Sequence, residues 1–186
     1  MNSHDRLADA ELLGRIQAGC EASFTALYRR HRPALFRFAC AMTGGAASAD
    51  EIVQEVFLSL LRQPSAWKPD RGPLDAFLHG IARNWVRRAA ERESRYVPTL
   101  DHDAIEPAAG ALDGLVSAES ADLLRKAVLS LPELYREALV LCDLEELSYE
   151  EAARRIGCPV GTVRSRLSRA RALVASKLKS QIGCAS

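Results

Sequence analysis

The sequence predicts an all-α protein made of two small helical domains joined by a flexible acidic linker. Three observations carry this. Nearly every segment repeats its apolar residues at helical spacing, and no run alternates as a strand does. That periodicity fails between Glu91 and Ser117, where Pro98, Pro107, Gly110, Gly114 and six acids stand against Arg92 and Arg95. Charge is also segregated. Residues 1–90 hold 12 basic and 9 acidic side chains, 91–150 hold 5 and 14, and 151–186 hold 8 and 1, although the net charge of the 186 residues is only +1. With 48% hydrophobic and 26% charged residues the composition is ordinary for a globular chain, and the length fits one domain or two small ones. The longest uncharged stretch, Phe38–Ala49, falls well short of the roughly 20 apolar residues that span a bilayer. The N-terminal MNSHDRLADAELL has acids before any apolar run and does not read as a signal peptide.

The elements follow in order. Asp9 is placed to cap a helix over Ala10–Ala18, with Gly19 as its stop. A second helix starts near Ser23 and carries Phe24, Leu27, Tyr28, Leu35, Phe36 and Ala39; Pro33 is expected to kink or restart it, and Gly44-Gly45 to end it. Ser48-Ala49-Asp50-Glu51 reads as a capping box opening a third helix. Its residues Ile52, Val53, Val56, Phe57, Leu60 and Leu61 form two adjacent apolar rows, which implies deep packing. Residues 65–73, SAWKPDRGP, form a loop offering Trp67, Lys68 and Arg71. A fourth helix over Leu74–Ala90 puts Leu74, Phe77, Leu78, Ile81 and Trp85 on one face. The expected division is a first domain over 1–92, a linker over 93–117 and a second domain over 118–186.

In the second domain, helical pattern resumes at Ala118–Ser130, and Pro132 begins the next helix, over about Pro132–Leu141. Ser148 and Glu151 form another capping box, the helix stops at Gly157, and Pro159 stands in the first turn of a last helix. This is a helix–turn–helix layout, with Gly157 free to take the positive φ of the turn. At about 100° per residue, Val160, Val163, Leu167, Ala170 and Val174 fall in one stripe on the last helix. Gly161, Ser165, Ser168 and Ala172 lie opposite, flanked by Thr162 and Arg169 on one side and Arg164 on the other. Arg166 and Arg171 border the core stripe.

Short side chains interleaved with arginines suit a major groove, which admits one helix and pairs arginine bidentately with guanine. Arg166 and Arg171 sit better for phosphates. A structural α-hairpin with a solvated basic side would keep the same stripe. The charge density of the last 36 residues favours DNA, since a polyanion balances it. Cys20, Cys40, Cys142, Cys158 and Cys184 form no metal-ligand spacing and read as thiols of a reducing cytoplasm, Cys40 and Cys142 as small buried apolar residues. His4, His31, His79 and His102 are scattered. No metal, cofactor or catalytic set is predicted.

LSYEEAARRIGCPVGTVRSRLSRAR (Leu147–Arg171) resembles region 4 of bacterial sigma factors, and SADEIVQEVFLSLL (Ser48–Leu61) with LDAFLHGIARNWVRR (Leu74–Arg88) resembles region 2. The ordered pair, with only a linker between, is similar to the extracytoplasmic-function (ECF) sigma group. The resemblance implies a factor that docks on core RNA polymerase, at a coiled coil of the largest subunit and at the flap, and directs it to promoters. The polymerase-docking role falls on the polar side of the third helix, at Asp50, Glu51, Gln54 and Glu55. It implies −10 element contacts from Trp67, Lys68, His79, Arg83, Asn84, Arg87 and Arg88, with Asn84 at a base-reading position. Trp67 fits a base-stacking role and a loop anchor equally. The −35 reading positions fall on Arg164, Ser165, Ser168 and Arg169, within the outward face Thr162–Arg171 found by rotation. Arg88 stands where many members have an acid, and Ser168 where some have a bulkier residue. The resemblance also implies an anti-sigma partner and no membrane insertion. The competing readings are a helix–turn–helix regulator whose first domain binds a ligand or dimerises, and a small helical enzyme with a DNA module.

Overall fold

The computed structural model describes residues 6–95 and 118–183. Among these every regular element is helical: α1 Asp9–Gln17, α2 Glu21–Thr43, α3 Ala46–Arg62, α4 Leu74–Arg95, α5 Ala118–Leu129, α6 Glu133–Leu139, α7 Tyr149–Ile156 and α8 Val160–Gly183. The linker expected over 93–117 lies outside the described residues except for its first three positions, which continue α4. The chain divides into two compact units, residues 1–39 with 49–97, and residues 40–48 with 98–186.

In the first unit, Leu12 and Leu13 of α1 are buried, as are Leu27, Leu35 and Phe38 of α2. From α3 come Ile52, Val53, Val56, Phe57 and Leu60, and from α4 Leu74, Leu78, Ala82 and Val86. The α4 set recurs at every fourth residue and the α3 set in two adjacent rows three to four residues apart, so each of these helices buries one side. The α4 stripe is rotated from the expected one: Phe77, Ile81 and Trp85 are only half-buried, and the small Ala82 takes the innermost position. Leu61 is also not internal; it is 41% exposed.

Two helix starts differ from expectation. Asp9 does not cap α1; Ala8 is the N-cap and makes no side-chain bond. The Asp9 carboxylate instead reaches α2, accepting from Arg30 at 2.6 Å and lying 3.1 Å from His31 Nε2. Charge-assisted bonds of this kind are roughly twice as strong as neutral ones. The Ser48 capping box does not form either, because α3 begins at Ala46, directly after the Gly44-Gly45 turn, and takes Ser48 into its first turn. Glu51 lies 3.8 Å from Arg92 of α4 instead. Helix α2 begins two residues earlier than expected and runs through Pro33 without restarting. Proline in a helix interior costs about 3 kcal/mol. Buried Leu35, Phe38 and Ala39 beyond it hold the helix to the core.

In the second unit, α6 ends early and passes into a π-turn, Val140–Leu144, closed by the Glu145 N–H donating to the Val140 carbonyl at 2.9 Å. Glu146 follows with φ +55°. The backbone is then extended at Ser148, whose capping box with Glu151 is complete. Gly157 turns the chain with φ +75°, and the Pro159 carbonyl accepts the first bonds of α8. Val163, Leu167, Ala170 and Val174 are buried as expected, against Ala152, Ala153 and Ile156 of α7 and Ala138, Leu139 and Leu141 of the preceding segment, whereas Val160 at the start of α8 is only half-buried. Cys20, Cys40, Cys142 and Cys158 are half-buried thiols, so Cys40 and Cys142 are less enclosed than expected; Cys184 is outside the described residues.

Candidate nucleic-acid interface

The outward side of α8 is fixed by what α8 buries. With Val163, Leu167 and Ala170 inside, Arg164, Ser165, Ser168, Arg169 and Arg171 are exposed, and Thr162 and Arg166 half-exposed. Three of the arginines have partners that no spacing within α8 reveals. The Arg164 guanidinium lies 5.5 Å from the ring centroid of Tyr149 in α7. Arg169 Nη1 donates to the Tyr135 hydroxyl of α6 at 3.2 Å. Arg171 grips the Asp143 carboxylate of the π-turn with two bonds, from Nε at 2.9 Å and Nη2 at 2.6 Å. That carboxylate raises the Arg171 guanidinium above its ordinary value. The Ser165 hydroxyl donates to the Thr162 carbonyl at 3.0 Å, which leaves its oxygen to accept.

A second basic surface lies on α4. Asn84, Arg87 and Arg88 are exposed and Arg83 half-exposed, which places four polar residues along adjacent turns. Arg88 lies over the Trp85 ring at 5.0 Å. His79 is not on that surface. It is 4% exposed and its ring lies 5.0 Å from that of Phe38 at a tilt of 58°, because the rotated α4 stripe turns it inward. In the preceding loop, short 3₁₀ turns at Pro64–Ala66 and Pro69–Arg71 surround Trp67, whose indole N–H donates to the Gly72 carbonyl at 3.1 Å. That bond ties a half-buried Trp67 into its own loop. Lys68 beside it is exposed.

The polar side of α3 carries Asp50, Glu51 and Gln54 exposed and Glu55 half-buried. Each acid has a basic neighbour: Asp50 accepts from Arg32 at 2.9 Å, Glu51 lies near Arg92, and Glu55 lies 3.9 Å from Arg62. Beside them an open groove of about 340 Å³ runs between Phe24 and Tyr28 of α2 and Leu58 and Leu61 of α3, with Asp50 and Gln54 at its edge. Among the described residues no group of His, Cys, Asp and Glu side chains is arranged to hold a metal, and no helix is long and apolar enough to cross a membrane.

Two family models match the chain, the one for sigma-70 region 2 over residues 27–96 and the one for sigma-70 region 4 over residues 121–174. The ECF RNA polymerase sigma-E factor of Escherichia coli K12 is 32% identical over 188 residues, covering 94% of this chain and 96% of its own. The chain belongs to the ECF sigma factors. This sigma factor is also 35% identical over 156 residues to the ECF sigma factor SigE of Mycolicibacterium smegmatis, covering 80% of this chain and 59% of that one. Among solved structures it is similar to the sigma factor RpoE of Bartonella quintana in complex with the anti-sigma factor NepR, with a TM-score of 0.65, 28% identity, and coverage of 84% of this chain and 96% of that one. The structure of CnrH in complex with the cytosolic domain of CnrY gives 0.65, 26%, 94% and 99%. Family membership makes the protein a transcription initiation factor.

Proposed function

We propose that this sigma factor binds core RNA polymerase through the polar side of α3, at Asp50, Glu51, Gln54 and Glu55, and directs it to promoters with two DNA-contacting surfaces. On α8, Arg164, Ser165, Ser168 and Arg169, with Thr162 beside them, read the −35 element, and Arg166 borders them at a phosphate position, whereas Arg171, expected at another, is taken up by Asp143. On α4 and its preceding loop, Lys68, Arg83, Asn84, Arg87 and Arg88 engage the −10 element, with Asn84 reading an exposed base. Trp67 serves as a loop anchor, and His79 supports the α4 surface from beneath rather than touching DNA. The functional division is 1–92 for polymerase docking and the −10 element, 93–117 as linker, and 118–186 for the −35 element.

The observation that carries this reading is the outer face of α8. Serines at one-turn spacing between arginines, on a helix that follows a tight turn, match the dimensions and donor code of a major groove. In this reading the protein acts in the cytoplasm, carries no chemistry of its own, and is held inactive by an anti-sigma factor; what supports such a partner is that RpoE of Bartonella quintana is in complex with the anti-sigma factor NepR. Run-off transcription with core polymerase over a promoter library tests the function and reads the promoter in one experiment. Transcripts are expected from a subset sharing −35 and −10 sequences; no promoter-dependent transcript would refute the proposal.

A further inference from the structure

Neighbouring arginines on the outer side of α8 are met by partners of different charge. Arg164 rests on an aromatic ring and Arg169 on a neutral hydroxyl, so both keep a full positive charge outward. Arg171 meets a carboxylate in the two-bond, fork-to-fork geometry with which arginine also takes a phosphate. The Arg171 side chain is 56% exposed and that of Asp143 30%, so the pair stands at the surface beside the proposed −35 reader. Exposed ion pairs contribute little to stability. Fold stability is therefore a weak reason for this pair.

The local backbone is irregular where Asp143 is presented. α6 does not run on as an α-helix; it widens into the π-turn Val140–Leu144, followed by the left-handed Glu146. Such one-turn bulges re-aim side chains and are frequent at functional sites. Here the bulge carries the residue that takes Arg171.

We propose that Asp143 stands in for a DNA phosphate on Arg171 and so holds back one non-specific DNA contact of the free sigma factor. The inference rests on the −35 reading of α8 and adds to it a limit on affinity. Removing the carboxylate charge releases Arg171 to any DNA backbone, whatever its sequence. The extra contact raises affinity for specific and scrambled duplexes alike, so it does not sharpen recognition. A free factor with that contact would be retained longer on the large excess of non-promoter DNA.

The test uses the full chain, with binding to a −35 duplex and to a scrambled duplex measured across a salt series. Asp143→Asn is expected to bind both duplexes about three- to tenfold more tightly at low salt, and to steepen the log–log salt slope by about 0.9, the increment for one phosphate. Arg171→Ala in the native background is expected to change neither affinity nor slope. In the Asp143→Asn background the same change is expected to cancel both gains, a coupling that a merely structural strap does not produce. An unchanged slope in Asp143→Asn, or a gain that survives Arg171→Ala, overturns the proposal and leaves the −35 reading intact. A wild-type chain that binds both duplexes equally would instead refute the −35 reading. Arg171→Ala and Asp143→Asn that lower thermal stability equally, with no change in slope, would assign the pair to structure and also overturn the proposal.

Discussion

Gly157 and the α8 arginines show how single residues are constrained. At Gly157 φ is +75°, and a Cβ added there would meet nothing within 4 Å. The cost of Gly157→Ala is therefore conformational alone, roughly 1–2 kcal/mol for a side chain forced into the left-handed region. Thermal unfolding of the variant is expected to show that loss. Replacing Arg164 or Arg169 by alanine is expected to weaken binding to a −35 duplex by about 1–3 kcal/mol relative to scrambled DNA. Equal losses on both duplexes, read by anisotropy, would mean these arginines touch only phosphate. Which arginines point outward was legible from rotation of the sequence around a helix. Their partners Tyr149, Tyr135 and Asp143 were not, because they lie 15 to 34 positions away on other elements and share no period with α8. His79 failed for the related reason that a polar residue beside an apolar stripe goes in or out with a small rotation of the helix.

Among the elements, two S-x-x-E sequences with opposite outcomes show what a local motif needs. Ser148 follows the left-handed Glu146, so the chain is already non-helical where the cap must be, and both reciprocal bonds form. Ser48 follows two alanines directly after a glycine turn, and the helix starts at the first alanine. Alanine is the strongest helix former and has no reason to wait for the serine. Ser148→Ala is thus expected to cost about 0.5–2 kcal/mol, and Ser48→Ala little, compared by urea unfolding. The α1–α2 clasp adds a pH dependence. Burial pushes the Asp9 carboxyl up, but His31 and then Arg30 outweigh it and hold it below its ordinary value of 3.8. A carboxyl lowered in the folded state binds fewer protons there than when unfolded, so its stabilisation is present above that ordinary value and is lost as pH falls through the lowered one. Between pH 5 and pH 3, Asp9→Asn is expected to lose less melting temperature than the wild type. An identical loss in both would remove Asp9 from the acid response.

Over the whole molecule, the net charge of +1 conceals opposite local charges with separate uses. The basic end carries the proposed −35 reader, and the acids between Glu91 and Glu150 are expected to hold down the attraction of the free chain for DNA. Replacing Asp101, Asp103, Glu106 and Asp113 by their amides is expected to raise the affinity of the isolated chain for scrambled DNA, most at low salt. An unchanged affinity in a filter-binding titration would show that this charge is irrelevant to the free state. The helical class, the helix–turn–helix and the buried stripes of α3 and α8 were determined by the sequence alone. Those features depend on the 3.6-residue period and on glycine and cap chemistry within a few residues. Only the tertiary structure decided the rotation of α4, the early starts of α2 and α3, the π-turn after α6, and the partners of the arginines. Each of these is set by packing and charge pairing between residues far apart in the chain, for which local propensity has no preference.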